Sequence, residues 1–287
     1  MTLVVTGGSG FVGRNVIAQA KAEGLEAVAL LRAGTKGDGL SHDGSIQQLT
    51  TALQKVNATG IVHCAAAFSP ADDPAETPAL IDANLALPIS LLQAARAAGV
   101  TRFVNIGSLW EHAPNGARQP INLYAATKTA FEDILSYLAP AHGIAAMTLK
   151  LSDTYGPGDS RAKLIPLLKA SLHEGAAFEM TAATQTVCYC HVTDVCAAIL
   201  QAYQMLASAP PGHEAYVVEG DEPMVLKDMI TMISKAMPSG LPVRFDAIPV
   251  DGKKPRVPWI GGPRLPGWSP KIPLLTGMLH IFQTESD

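Results

Sequence analysis

The sequence predicts an α/β fold, a doubly wound parallel sheet of Rossmann type with a small C-terminal lobe, from three features. Apolar runs alternate with helical segments through the first half of the chain. The first run ends in a glycine-rich turn, Gly7-Gly8-Ser9-Gly10-Phe11-Val12-Gly13. Beyond about residue 152 prolines break the pattern into short pieces.

The strands are expected at 2–6, 26–31, 60–65, 101–107 and 144–151, and the helices near 11–23, 45–57, 79–98 and 122–139. The segment from Gly34 to Gly44 is polar and glycine-rich, so it reads as a loop. These elements make residues 1–151 a nucleotide-binding domain. Residues 152–287 form mainly the small lobe, with returns to the first domain near 187–219. The lobe is expected over the C-terminal edge of the sheet, where open α/β sheets bind ligands. Segments 79–98 and 122–139 are apolar around much of their circumference, which points to a homodimer through these two helices or to burial within one chain.

The glycine turn identifies the ligand class. It lets backbone N–H groups approach a pyrophosphate at the positive end of the helix opened by Phe11 and Val12, with Gly7, Gly10 and Gly13 forming the cradle. Arg32 ends the second strand, where an NAD-binding protein carries Asp or Glu. A guanidinium there can grip a 2′-phosphate through charge-assisted hydrogen bonds, so the expected cofactor is NADP, as NADPH, rather than NAD.

Tyr124-Ala-Ala-Thr-Lys128 puts a phenol and an ammonium on one helix face. A neighbouring Lys⁺ favours the phenolate and moves the Tyr toward working pH. Ser108 ends the strand Phe103–Gly107 at the catalytic edge of the sheet, where its hydroxyl can donate to a carbonyl oxygen while Tyr124 delivers a proton. The order glycine turn, strand-end Ser, YxxxK points to hydride chemistry.

Composition excludes other classes. With 48% hydrophobic residues and a net charge of −4, the chain is globular and has no basic footprint for nucleic acid or anionic membranes. The first strand starts within three residues of Met1, leaving no room for a signal peptide, and no apolar stretch is expected to span a membrane, so the expected location is cytoplasmic. Cys64, Cys188, Cys190 and Cys196 are expected as thiols. Cys188 and Cys190 have one residue between them and no second pair to complete a tetrahedral site, so no metal is expected.

With these motifs the chain resembles the extended short-chain dehydrogenase/reductases, the NAD-dependent epimerase/dehydratase family. The likeness runs on through Val62-His63-Cys64-Ala65-Ala66, Asn84, Leu151 to Gly158, and His191-Val192-Thr193-Asp194-Val195. Within that family, Asn122 to Lys128, Asp153-Thr154-Tyr155-Gly156-Pro157 and Leu265 to Lys271 are similar to reductases of nucleotide-linked 4-keto-6-deoxyhexoses, the CDP-abequose and CDP-paratose synthase group. Lys150 and Asp153 depart from the family's usual Arg and Asn. Leu109 and Trp110 stand where sugar 4,6-dehydratases carry an acidic pair, which argues against dehydration. His112 reads as an exposed loop histidine.

The resemblance implies that NADPH delivers hydride to a ketone. Tyr124 would protonate the oxygen, Ser108 would polarise it, and Lys128 would tune Tyr124 and bond the nicotinamide ribose. Ala65 and Ala66 would lie along the cofactor and Asp43 would reach the adenine. The substrate would be a nucleotide-diphosphate sugar, its diphosphate met by Arg161, Lys163, Arg256 or Arg264. Two rival readings remain open: a nucleotide-sugar 4-epimerase with tightly bound NAD, and a non-catalytic NADP-binding protein.

Overall fold

A computed structural model describes residues 2–69, 73–249 and 258–283. Its centre is a seven-stranded sheet of parallel neighbours. In chain order the strands are β1 (Thr2–Thr6), β2 (Glu26–Arg32), β3 (Leu40–His42), β4 (Ala58–His63), β5 (Arg102–Ser108), β6 (Ala145–Leu151) and β7 (Gly212–Val218). Across the sheet they run β7-β6-β5-β4-β1-β2-β3. The order reverses between β1 and β4, and that switch opens a crevice at their C-terminal ends. Every residue of β1 is buried, as expected of a strand covered on both faces.

Helices α1 (Phe11–Ala22) and α6 (Val192–Met205) cover one face, burying Val16, Ala20, Val195 and Ile199 against Leu3, Val5 and Val104. On the other face lie α2 (Ile46–Lys55), α3 (Thr77–Ala98) and α4 (Leu123–Ala141), which bury Leu49, Leu53, Leu91, Leu92, Phe131 and Leu135 against Val4, Ile61 and Phe103. Beyond β6 the chain alternates between this sheet and a third core. That core joins α5 (Leu164–Glu174), α7 (Leu226–Ala236) and α8 (Leu274–Gln283) through Leu168, Met229, Ile230, Ile233 and Met278.

Two expectations need correction. The loop expected between Gly34 and Gly44 contains β3, because Leu40 and His42 bury their side chains while Leu40–His42 pairs in parallel with Leu30–Arg32. Segment Thr77–Ala98 is one helix long and apolar enough to cross a membrane, by length and composition alone. Its apolar side packs into the domain instead, with Leu87, Leu91, Leu92, Ala94 and Ala95 buried.

Pro88 has no N–H for the carbonyl four residues earlier, and α3 widens into a π turn over Asp82–Ala86 just before it. The turn aims Asn84 at the loop after β4. Its carboxamide accepts from the Ala67 N–H at 3.0 Å, donates to the Ala67 carbonyl at 3.1 Å, and donates to Thr127 Oγ1 on α4 at 2.9 Å. One buried amide therefore ties the crevice loop to the helix that carries Tyr124 and Lys128.

Candidate active site

The glycine turn closes through a hydrogen bond from the Gly10 N–H to the Gly7 carbonyl, 2.9 Å long. Gly7 has φ +65°, and a Cβ on it would come within 2.7 Å of the Ala65 nitrogen, so only glycine lets β1 and the end of β4 approach this closely. No side chain caps the N-terminus of α1, which leaves its first N–H groups facing the crevice. Thr6 Oγ1 accepts from the Ala65 N–H at 3.2 Å and lies 2.8 Å from His63 Nδ1. Burial pulls the His63 pKa down to about 3, so this support stays neutral and does not compete for the pyrophosphate.

A cavity of about 290 Å³ follows the turn, lined by Gly7, Gly10, Arg32, Thr35, His42 and Ala65 among others. Arg32 lies in its wall, and Nη2 is 2.7 Å from Asp82 Oδ2 on α3. The carboxylate missing from the end of β2 thus arrives from 50 residues further along the chain. Asp43 does not line this cavity. Its side chain accepts from the Ser45 N–H at 2.8 Å at the entry to α2, and the neighbouring His42 lines the cavity instead.

The second cavity, about 170 Å³, brings together Val12, Cys64, Ala66, Phe68, Ser108, Trp110, Tyr124, Lys128, Asp153, Arg161 and Lys163. Here the strand-end hydroxyl, the phenol and the ammonium share one space. Asn122 caps α4 by accepting from the Ala125 N–H at 2.9 Å, which fixes the first turn that holds Tyr124. Lys128, buried, donates from Nζ to the Ile106 carbonyl at 3.1 Å. Burial pulls its pKa down to about 8, with Glu111 and Cys64 opposing. Burial and the Glu111 charge raise the Tyr124 pKa above the ordinary phenol value, and Arg161 is the cation that opposes them. The phenol therefore keeps its proton at neutral pH, whereas the YxxxK spacing points to a phenolate favoured by Lys128. Burial also raises the Cys64 thiol pKa to about 12, so Cys64 contributes a neutral wall.

The basic residues expected at the substrate separate. Arg161 and Lys163 line the reactive cavity. Arg161 is fixed by Asp159 and by the Thr154 carbonyl and lies 4.4 Å from the Phe11 ring centroid. Lys163 Nζ stands 5.3 Å from the Phe68 ring centroid. Arg264 is absent from the lining, because Asp221 holds Nη1 at 2.5 Å and Glu219 holds Nη2 at 3.4 Å. Arg256 lies outside the described residues.

Sequence reasoning missed the aromatic wall. Phe68 packs edge-on against Tyr124 with centroids 5.0 Å apart and against Trp110 at 5.7 Å. Only the apolar pair Leu109-Trp110 hinted at it. Trp110 and Asp153 also line a neighbouring cavity of about 460 Å³ whose other walls include Leu109, His112, Gln185, Thr186, Val187 and Leu226. His112 is buried rather than exposed. Its Nδ1 lies 2.9 Å from the Gly116 carbonyl oxygen, and its ring centroid is 4.1 Å from that of Trp259.

The sequence profile of the NAD dependent epimerase/dehydratase family matches residues 3–218. CDP-abequose synthase of Salmonella typhimurium is 28% identical over 251 residues, covering 83% of this chain and 81% of that protein. The dTDP-6-deoxy-L-talose 4-dehydrogenase (NAD(P)(+)) of Kitasatospora kifunensis is 24% identical and covers 99% of this chain and 95% of that one. Among solved structures, the UDP-glucose 4-epimerase of Thermus thermophilus in complex with NAD superposes with a TM-score of 0.81 over 98% of each chain at 23% identity, which shows a shared fold.

Proposed function

Because the chain belongs to the NAD dependent epimerase/dehydratase family, we propose that it is an NADPH-dependent reductase of a nucleotide-linked 4-keto-6-deoxy sugar. The observation that carries this reading is the convergence of Ser108, Tyr124 and Lys128 in one cavity, reached by the helix that opens at the glycine turn. Bound NADPH supplies the hydride; the chain's residues supply alignment and the proton. Ser108 donates to the ketone oxygen. Tyr124, held as a phenol by burial, gives that oxygen its proton. Lys128 holds the nicotinamide ribose. Leu109 and Trp110 offer no acid–base group where dehydration would need one, which favours reduction of the ketone as it stands.

The neighbouring cavity of about 460 Å³ is large enough for the nucleoside, with apolar walls and the polar tips of Gln185 and Thr186. Among the described residues that line it none is Lys or Arg, and Lys163 and Arg161 in the reactive cavity are the described cations that would meet the diphosphate. Residues 1–151, with the return at 187–219, would act as the cofactor domain and the remainder of 152–287 as the substrate lobe. Ile81 at 42% and Tyr137 at 71% exposure lie on the two helices expected at a homodimer interface. The test offers NADPH with CDP-, dTDP-, GDP- and UDP-linked 4-keto sugars and follows loss of the reduced cofactor's absorbance.

One observation favours the 4-epimerase reading. Asp82 stands beside Arg32 and would repel a 2′-phosphate, as suits NAD. An epimerase would carry NAD through purification and interconvert sugar nucleotides with no net use of NADPH.

A further inference from the structure

We propose that Glu111 is a positioning residue for ketone reduction: its buried carboxylate fixes Ser108 so that the hydroxyl proton is left for the substrate, and its charge stands behind the proton donor Tyr124. The proposal rests on the reductase reading above.

Ser108 and Glu111 form a reciprocal cap around one short turn. Ser108 Oγ accepts from the Trp110 N–H at 3.2 Å, while the Ser108 N–H donates to Glu111 Oε1 at 2.6 Å. With the backbone filling an acceptor role at Oγ, the hydroxyl is turned to donate. Gly107 makes room for this, because a Cβ there would stand 2.8 Å from Glu111 Oε1.

A turn cap alone does not require a charge. Glu111 is 1% exposed, and burying a carboxylate costs several kcal/mol unless it is paired. Its partner is Lys150, with Nζ 3.0 Å from Glu111 Oε2 and 2.6 Å from Glu132 Oε2. Two carboxylates share one ammonium: burial and the Glu132 charge push the Glu111 pKa up, and the Lys150 ammonium opposes them and favours the carboxylate. The charged and titratable groups around it are Lys150 from β6, Glu132, Tyr124 and Lys128 from α4, Arg118 from the preceding loop, His112 beside it and His213 from β7, with Arg161 opposing Glu111 at Tyr124. Burial raises the Tyr124 pKa and lowers that of Lys128; the Glu111 charge adds to the first shift and opposes the second, favouring a phenol at one and an ammonium at the other. A reductase needs both states.

The test is Glu111→Gln, which keeps an oxygen for the Ser108 N–H and removes the charge, alongside Glu111→Asp, which keeps the charge and shortens the reach. Phenol ionisation is followed by ultraviolet difference titration of the apo-protein, with Tyr124→Phe as the blank that isolates Tyr124. This readout needs no substrate, so it stands even if the wild-type protein reduces no keto sugar and the reductase reading fails. Glu111→Gln is expected to lower the Tyr124 midpoint by about one pH unit. Glu111→Asp is expected to reduce kcat about tenfold or more with the Tyr124 midpoint unmoved and the Kd for NADPH within about twofold of wild type. A folded Glu111→Gln protein with an unmoved midpoint, or a Glu111→Asp enzyme with wild-type kcat, would overturn the proposal. If Glu111→Gln does not fold, the Glu111→Asp result decides.

Discussion

Arg32, which lines the cavity beside the glycine turn, and Asp82 face each other 2.7 Å apart, each about half exposed. An exposed pair of this kind is worth about 0–1 kcal/mol, so a 2′-phosphate that bonds the guanidinium in two places can outcompete the carboxylate. NADPH is therefore expected to bind at least about tenfold tighter than NADH, a difference of roughly 1.4 kcal/mol. Asp82→Asn should widen that ratio and Arg32→Asp should reverse it, both measured as Kd by titration. Equal affinities in the wild-type protein would contradict the assignment.

Tyr124→Phe removes the proton donor and leaves the apolar ring packed against Phe68. Folding and NADPH binding should persist while kcat falls about 100-fold or more. Lys128→Met should weaken both, since it removes the ribose contact as well as the charge. Circular dichroism, NADPH fluorescence and steady-state rates separate these outcomes, and near-normal turnover in Tyr124→Phe would place the proton elsewhere.

Lys128 gives a pH dependence whose sign can be worked out. Burial lowers its pKa in the folded apo-protein to about 8, so the ammonium is present below that pH and is lost above it. Cofactor affinity should fall as pH rises past about 8, and Lys128→Met should flatten the profile. For folding the sign is opposite. A base with a depressed folded pKa binds its proton more readily in the unfolded chain, so this group's contribution to stability rises with pH between about 8 and the ordinary lysine value.

Lys163 lines the cavity that holds Ser108, Tyr124 and Lys128, with Nζ 5.3 Å from the Phe68 ring centroid. Lys163→Ala should raise the KM for a nucleotide-linked keto sugar about tenfold while changing NADPH affinity by less than about twofold. Arg264→Ala should leave KM unchanged, because Asp221 and Glu219 already hold its guanidinium away from the cavity. An effect confined to Arg264 would move the diphosphate to the other side of the lobe.

Local signals in the sequence carried the sheet, the glycine turn and the strand-end Ser108. They rest on period, glycine spacing and chain order, which act over a few residues. β7 and α6 carry the chain back onto the first core. What was hidden depends on contacts between distant segments. Nothing near Arg32 announces Asp82, and nothing near Arg264 announces that Asp221 and Glu219 would hold it. β3 escaped because three residues flanked by glycine and polar side chains show no period, although Leu40 and His42 alternate inward. The YxxxK spacing shows only the neighbouring Lys128, whereas the Tyr124 pKa follows burial first and then the charges of Glu111 and Arg161.

The most direct measurement of the central claim is hydride tracing. NADPH deuterated at the transferred position is incubated with the protein and a nucleotide-linked 4-keto-6-deoxyhexose, and the product is read by mass and NMR. The account predicts one deuterium on the new carbinol carbon, one NADPH consumed per product, and product formed about 100-fold more slowly with Tyr124→Phe. A sugar nucleotide isomerised without deuterium uptake or NADPH loss would contradict it and establish the epimerase chemistry instead.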